Sequence, residues 1–173
     1  MVPMLSKALN IPLRSAPTQG EKENELGDLK NLLEPLYIDG VISGAIASEY
    51  QRTRIEQVCY NLNLKSFTPL WHKNQQQLLT EQVTAGFIIM IVGVFAEGLD
   101  KTWLGTILTP STLHKLSEIT NKNKINPAGE GGEFETITLD GPIYNKTISI
   151  DSHQINWKRD HGYLLIKKAH LDD

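Results

Sequence analysis

Thiol chemistry is almost missing from this sequence, in which Cys59 is the one cysteine. A single cysteine excludes an internal disulfide framework and any zinc site built from cysteines. A large excess of either sign of charge is lacking too. The net charge of −3 leaves no basic field of the kind that attracts nucleic acid. Long apolar runs are lacking: the longest, 87–96, contains Gly93 and falls well short of the about 18 residues a membrane-spanning helix needs. The opening Met1-Val2-Pro3-Met4 has no basic-then-apolar pattern of a signal peptide. The histidines His72, His114, His153, His161 and His170 show no metal-ligand spacing. These absences point to a cytoplasmic protein with no membrane, no nucleic-acid partner and no metal site built from its own side chains.

What is present is enough for a packed core. With 173 residues, 40% of them hydrophobic, the chain suits one domain or two small ones. Residues 1–9 read as a helix, and 11–14 as a short strand between prolines. Leu26, Leu29, Leu32, Leu33 and Leu36 recur at three or four residues, which predicts a helix over 21–36. Strands are expected at 41–46 and 65–70, with a helix from Ser48 to Leu62 between them. Ser48 is its N-cap, and Ile55, Val58, Cys59 and Leu62 form its inner stripe. Strand–helix alternation of this kind predicts a parallel sheet with helices on its faces. The strand count is low, so the reading is an incomplete Rossmann-like α/β sheet whose first strands are missing. The unpaired edges of such a sheet would favour self-association into a homo-oligomer.

From Trp71 the pattern changes, and a boundary is expected near Leu70, giving domains 1–70 and 71–173. Residues 75–85 and 111–122 read as helices, and 86–96 as a buried strand. Strands over 134–140, 143–151, 154–159 and 163–169 read as an antiparallel meander. Asp140-Gly141-Pro142 and Asp160-His161-Gly162 supply its turns. The second half is therefore a smaller α+β domain.

Two segments could carry chemistry. In the first, a strand leads through Gly44 into a helix that begins at Ser48 and carries Tyr50, Gln51, Arg52 and Arg54. Ligands bind beyond the carboxyl ends of strands in such sheets. A helix N-terminus favours anions, and arginine grips phosphate or carboxylate with paired hydrogen bonds. The plainer reading is a cap with surface arginines. The second is Gly129-Glu130-Gly131-Gly132-Glu133-Phe134-Glu135-Thr136. Its glycines allow close backbone approach. Its carboxylates Glu130, Glu133 and Glu135 could act as acid or base, or hold a cation or Mg²⁺. Glu133 and Glu135 are expected on one strand face. Here the plainer reading is a solvated surface turn. Cys59, on the inner stripe of its helix, reads as core.

The run from Gly44 to Cys59, then Pro69-Leu70-Trp71, Trp103-Leu104-Gly105 and Gly129 to Thr136, in this order, resembles the diphthine–ammonia ligase family. That family is similar to the N-type ATP pyrophosphatases (PP-loop enzymes) of the adenine-nucleotide α-hydrolase superfamily. The resemblance implies a nucleotide-binding domain followed by a smaller one. It implies ATP and Mg²⁺ as cofactors, adenylation of a carboxylate, and displacement of AMP by ammonia. The product would be diphthamide, made from diphthine on translation elongation factor 2. It also implies that Gly44, Ser48, Tyr50, Gln51 and Arg54 lie at the nucleotide. Gly129, Gly131, Gly132, Phe134 and Thr136 would hold the substrate; the reading of Glu130, Glu133 and Glu135 as catalytic carboxylates comes from their crowding in this segment and not from the resemblance. The family's phosphate loop, Ser-Gly-Gly-x-Asp-Ser, is absent from these residues, so the chain alone is expected not to adenylate. The alternatives are a non-catalytic module that binds substrate or protein, and a related ATP pyrophosphatase acting on another carboxylate.

Overall fold

The computed structural model describes residues 1–18, 20 and 24–172. The protein is α/β, with a small parallel sheet and its helices in one unit and a separate antiparallel sheet with helices in the other. The first compact unit is Leu13–Lys73. The second is discontinuous, built from Met1–Pro12 and Asn74–Asp173.

The parallel unit contains helix α2 (Asn24–Leu33), strand β1 (Gly40–Ile42), helix α3 (Glu49–Asn61) and strand β2 (Lys65–Phe67). Residues 21–23 of the predicted first helix lie outside the described residues, and at its other end Pro35 follows soon after the last helical residue. β1 and β2 pair in parallel, Gly40 with Lys65 and Ile42 with Phe67. Residues 11–14 are not a strand. Pro12 lacks an N–H to donate, and among the described residues no strand pairs with this stretch. The sheet of this unit therefore has two strands rather than three. α3 begins where its sequence signals say. Ser48 Oγ accepts from the Gln51 N–H at 3.3 Å, and Val58 and Cys59 are buried on the inner side.

The second unit adds helices α1 (Val2–Leu9), α4 (Gln75–Thr84) and α5 (Pro110–Asn123), and strands β3 (Ile88–Val94), β4 (Phe134–Asp140), β5 (Thr147–Lys158) and β6 (His161–Asp172). The strand order is β4-β3-β6-β5, so this is not a simple meander. β3 is the most apolar strand, with Ile89, Met90, Ile91 and Val94 all buried. A strand apolar on both faces belongs inside a sheet, and it displaces β6 from β4. The expected strands 143–151 and 154–159 are one continuous β5, with a register irregularity around Ser152 where a break was expected. The β5–β6 turn is Arg159 and Asp160, with Arg159 in the left-handed region at φ 57°. A two-residue hairpin needs positive φ at its first position.

Ile91, Val94, Leu116, Phe134 and Ile148 make the centre of this core. Each such side chain contributes roughly 1.5–3 kcal/mol through burial. α1 joins the same core: Ala8 has no exposed surface, and its carbonyl accepts from the Asn145 N–H at 2.7 Å. Trp103 and Leu104 are buried too, and Gly105, at φ 88°, donates its N–H to the Ile91 carbonyl at 2.8 Å.

Candidate functional site

In the parallel unit, a groove of about 450 Å³ opens where β1 leads towards α3. Gly44, Tyr50, Gln51 and Arg54 line it, together with Ser43, Ala45 and Ile55, and Glu25, Leu26 and Leu29 from α2. Ser48 does not line it and serves instead as the cap of α3. A Cβ added to Gly44 would meet nothing within 4 Å, and its φ is not positive. Packing does not demand glycine there, so what its absent side chain preserves is an open groove wall.

Both arginines of the motif have partners. Arg54 pairs with Glu25 at 3.0 Å, is largely buried, and lies 4.6 Å above the Tyr50 ring. Arg52 turns away from that groove. It pairs with Glu49 at 2.9 Å and Glu56 at 2.7 Å, and sits 4.7 Å above the Trp71 ring, which itself stacks on His72. The hydrogen bond from Arg52 to Glu49 is the main reason its guanidinium holds its proton more firmly than usual. Glu49, in the first turn of α3, already sets a negative charge at the positive end of the helix. An anion in this groove would have to compete with Glu25 for Arg54. α2 was legible as a helix, but nothing in its leucine spacing marked Glu25, Leu26 and Leu29 as groove residues.

The second candidate segment lies in the other unit and is built differently from the sequence expectation. β4 starts at Phe134, so Glu133 precedes the strand, and the alternation of strand faces does not apply to it. Its carboxylate folds back, accepting from the Asn126 N–H at 3.1 Å and the Gly131 N–H at 2.8 Å. Asn126 Oδ1 accepts from the Ala128 and Glu130 N–H groups at 2.9 and 3.3 Å. Side chains thus satisfy a turn whose backbone donors have few carbonyl partners. Gly129 and Gly132 adopt φ of 74° and 84°. A Cβ on Gly129 would lie 2.6 Å from the Phe134 carbonyl oxygen, so glycine is required there. Phe134 is buried in the core, and its ring presents no face to a ligand. Glu130, Gly131, Glu135 and Thr136 are exposed.

The chain matches the family model for the diphthamide synthase N-terminal domain over residues 1–66 and the model for its C-terminal domain over 74–171. It is 37% identical to the diphthine–ammonia ligase of Danio rerio, over 96% of this chain and 68% of the relative. The chain belongs to the diphthamide synthase family. It is 38% identical to the diphthine–ammonia ligase of Homo sapiens, over 90% of this chain and 60% of the relative, and 34% identical to that of Schizosaccharomyces pombe, over 90% of this chain and 28% of the relative. The chain thus spans about two thirds or less of the length of these diphthine–ammonia ligases.

Proposed function

We propose that this chain forms part of an ATP-dependent ligase that converts diphthine to diphthamide on translation elongation factor 2. In this reading the diphthine carboxylate attacks the α-phosphorus of ATP and pyrophosphate leaves, giving an acyl-adenylate. Ammonia then attacks the acyl carbon, AMP departs, and the nitrogen loses a proton. Family membership supports the reaction class, and the single structural observation that carries the site is the Tyr50–Arg54 groove. Its size falls within the range of small-molecule sites. Apolar Leu26, Leu29 and Ile55 suit the faces of a nucleoside, and the Gln51 amide can meet donors and acceptors on its edge.

The described residues suit a nucleoside better than a triphosphate. Arg54 is already paired with Glu25, and the Ser-Gly-Gly-x-Asp-Ser loop is not in this sequence. Among the described residues no group of three or more carboxylate, histidine or cysteine side chains is placed to hold a metal, so no step is assigned to Mg²⁺. The paired arginines favour a second reading, a module that binds substrate without adenylating it.

The test has two arms. Calorimetric titration of this chain with ATP and Mg²⁺ is expected to show little heat, and micromolar affinity would contradict the missing-loop argument. Supplied with a segment bearing the phosphate loop, the chain is expected to amidate diphthine-bearing elongation factor 2 and release AMP. Absence of ATP-dependent product in that mixture would favour the binding module. Self-association belongs to the same proposal, and light scattering across a concentration series tests it.

A further inference from the structure

On the outer face of the antiparallel sheet, three strands bring unusual neighbours together. Gly93 of β3 is in register with Glu135 of β4 on one side and with Tyr163 of β6 on the other. Directly opposed residues of antiparallel strands project to the same face. The next position, Val94, is in register with Phe134 and Gly162, and all three are buried, so that row faces the core. Glu135, Gly93 and Tyr163 therefore face away from it, and Tyr163 is 49% exposed.

The middle of this row has no side chain of its own. A Cβ on Gly93 would come within 2.7 Å of Phe95 Cε2, 3.1 Å of its Cζ and 3.0 Å of the Glu135 Cβ. The Phe95 ring therefore lies over the Gly93 backbone, beside Glu135, and it remains 45% exposed. The φ of Gly93 is not positive, so the glycine makes room for a ring rather than for a turn. Two half-exposed rings thus share this face with one carboxylate, Phe95 beside Glu135 and Tyr163 across Gly93 from it. That carboxylate is also uncommitted: among the described residues Glu135 has no hydrogen-bond or ion-pair partner, while Glu133 is spent on its loop, Glu25 on Arg54, and Glu49 and Glu56 on Arg52.

We propose that Phe95, Tyr163 and Glu135 form a binding site for a quaternary ammonium group. Aromatic faces attract cations, and a nearby carboxylate supplies the counter-charge. A lysine or arginine head could also use the carboxylate, so it is the two aromatic faces that favour a methylated ammonium here. A methylated ammonium has no N–H to satisfy and needs only faces and a single opposite charge. The natural ligand would be the trimethylammonium end of diphthine. That identity rests on the ligase reading; the binding itself does not.

The test titrates the intact chain with choline and with 3,3-dimethylbutan-1-ol, its uncharged isostere, followed by amide chemical shifts. Choline is expected to move the amides of Gly93, Phe95, Glu135 and Tyr163 saturably. The isostere should bind about tenfold more weakly, a difference on the scale of one cation–aromatic contact. Tyr163→Leu and Glu135→Gln, both at exposed positions, should each weaken choline binding about three- to tenfold while leaving the urea unfolding midpoint in place. Equal binding of charged and uncharged probes, no saturable shift at these amides, or unaltered affinity in both variants would overturn the site. Choline binding without amidation by the loop-supplied protein would leave the site standing and remove only diphthine as its ligand. Amidation with an unchanged KM for the diphthine protein in both variants, without choline binding, would sink the site and spare the ligase.

Discussion

Gly129 shows how far a single backbone angle can reach. Its φ of 74° and the 2.6 Å that would separate a Cβ from the Phe134 carbonyl oxygen leave room for no other residue. Gly129→Ala is expected to cost on the order of 1–3 kcal/mol, read as a lower urea midpoint with unchanged slope. Cys59 belongs to the same scale. Burial is the main cause that pushes its thiol above the ordinary range, and it is almost fully enclosed on the inner side of α3. A thiol-specific disulfide reagent should therefore label it only as fast as the chain opens; immediate labelling of native protein would contradict its burial. Asp100 caps the 3₁₀ turn Lys101–Trp103, accepting from the Thr102 N–H at 2.8 Å and from the Thr102 hydroxyl. The hydroxyl contact is the main cause that holds its carboxyl below the usual range. A depressed folded value stabilises above the unfolded value and is lost as pH falls through the folded one. Asp100→Ala should thus destabilise by about 0.5–1 kcal/mol at neutral pH, the worth of an exposed cap. The gap to the parent should close as pH drops through the carboxylate range.

At the scale of elements, the sequence was most readable where a local signal stood beside a periodic one. Ser48 followed by an amphipathic stretch placed α3 to within a residue, and Cys59 on its inner side was legible from the stripe. Ile11 to Arg14 was misread because apolar residues between prolines imitate a strand, while the deciding fact, the lack of a pairing neighbour, lies far along the chain. The order β4-β3-β6-β5 was out of reach for the same reason: hairpin signals name neighbours in sequence, and β3 inserts between strands that are not. In the candidate site, Tyr50, Gln51 and Arg54 were readable from the strand-to-helix corner. The engagement of Arg54 with Glu25 was not, since the two stand far apart in sequence. Glu133 was misread as a strand residue when it holds the turn. Glu133→Ala should therefore raise amide exchange of Asn126 and Gly131 by roughly tenfold or more, the scale of one lost hydrogen bond to a charged acceptor. Unchanged exchange would mean that the carboxylate does not order this loop.

The molecule as a whole has two units of unequal resources. The unit Leu13–Lys73 rests on a two-stranded sheet, and two strands alone are marginal without packed helices. Denaturant is expected to unfold it before the other unit, seen as loss of the Cys59 environment while signals of the buried Trp103 persist. Coincident transitions would show one cooperative block. The second unit is closed by α1, whose buried Ala8 lies in the same core as Ile148 and Leu164. The ribosome makes that helix well before the strands it packs against. At about 5–20 residues per second, the apolar side of α1 waits on the order of ten to thirty seconds for β5 and β6. During that interval Met4, Leu5 and Ala8 form a sticky surface on a nascent chain, so α1 cannot take its final place until β5 and β6 have emerged.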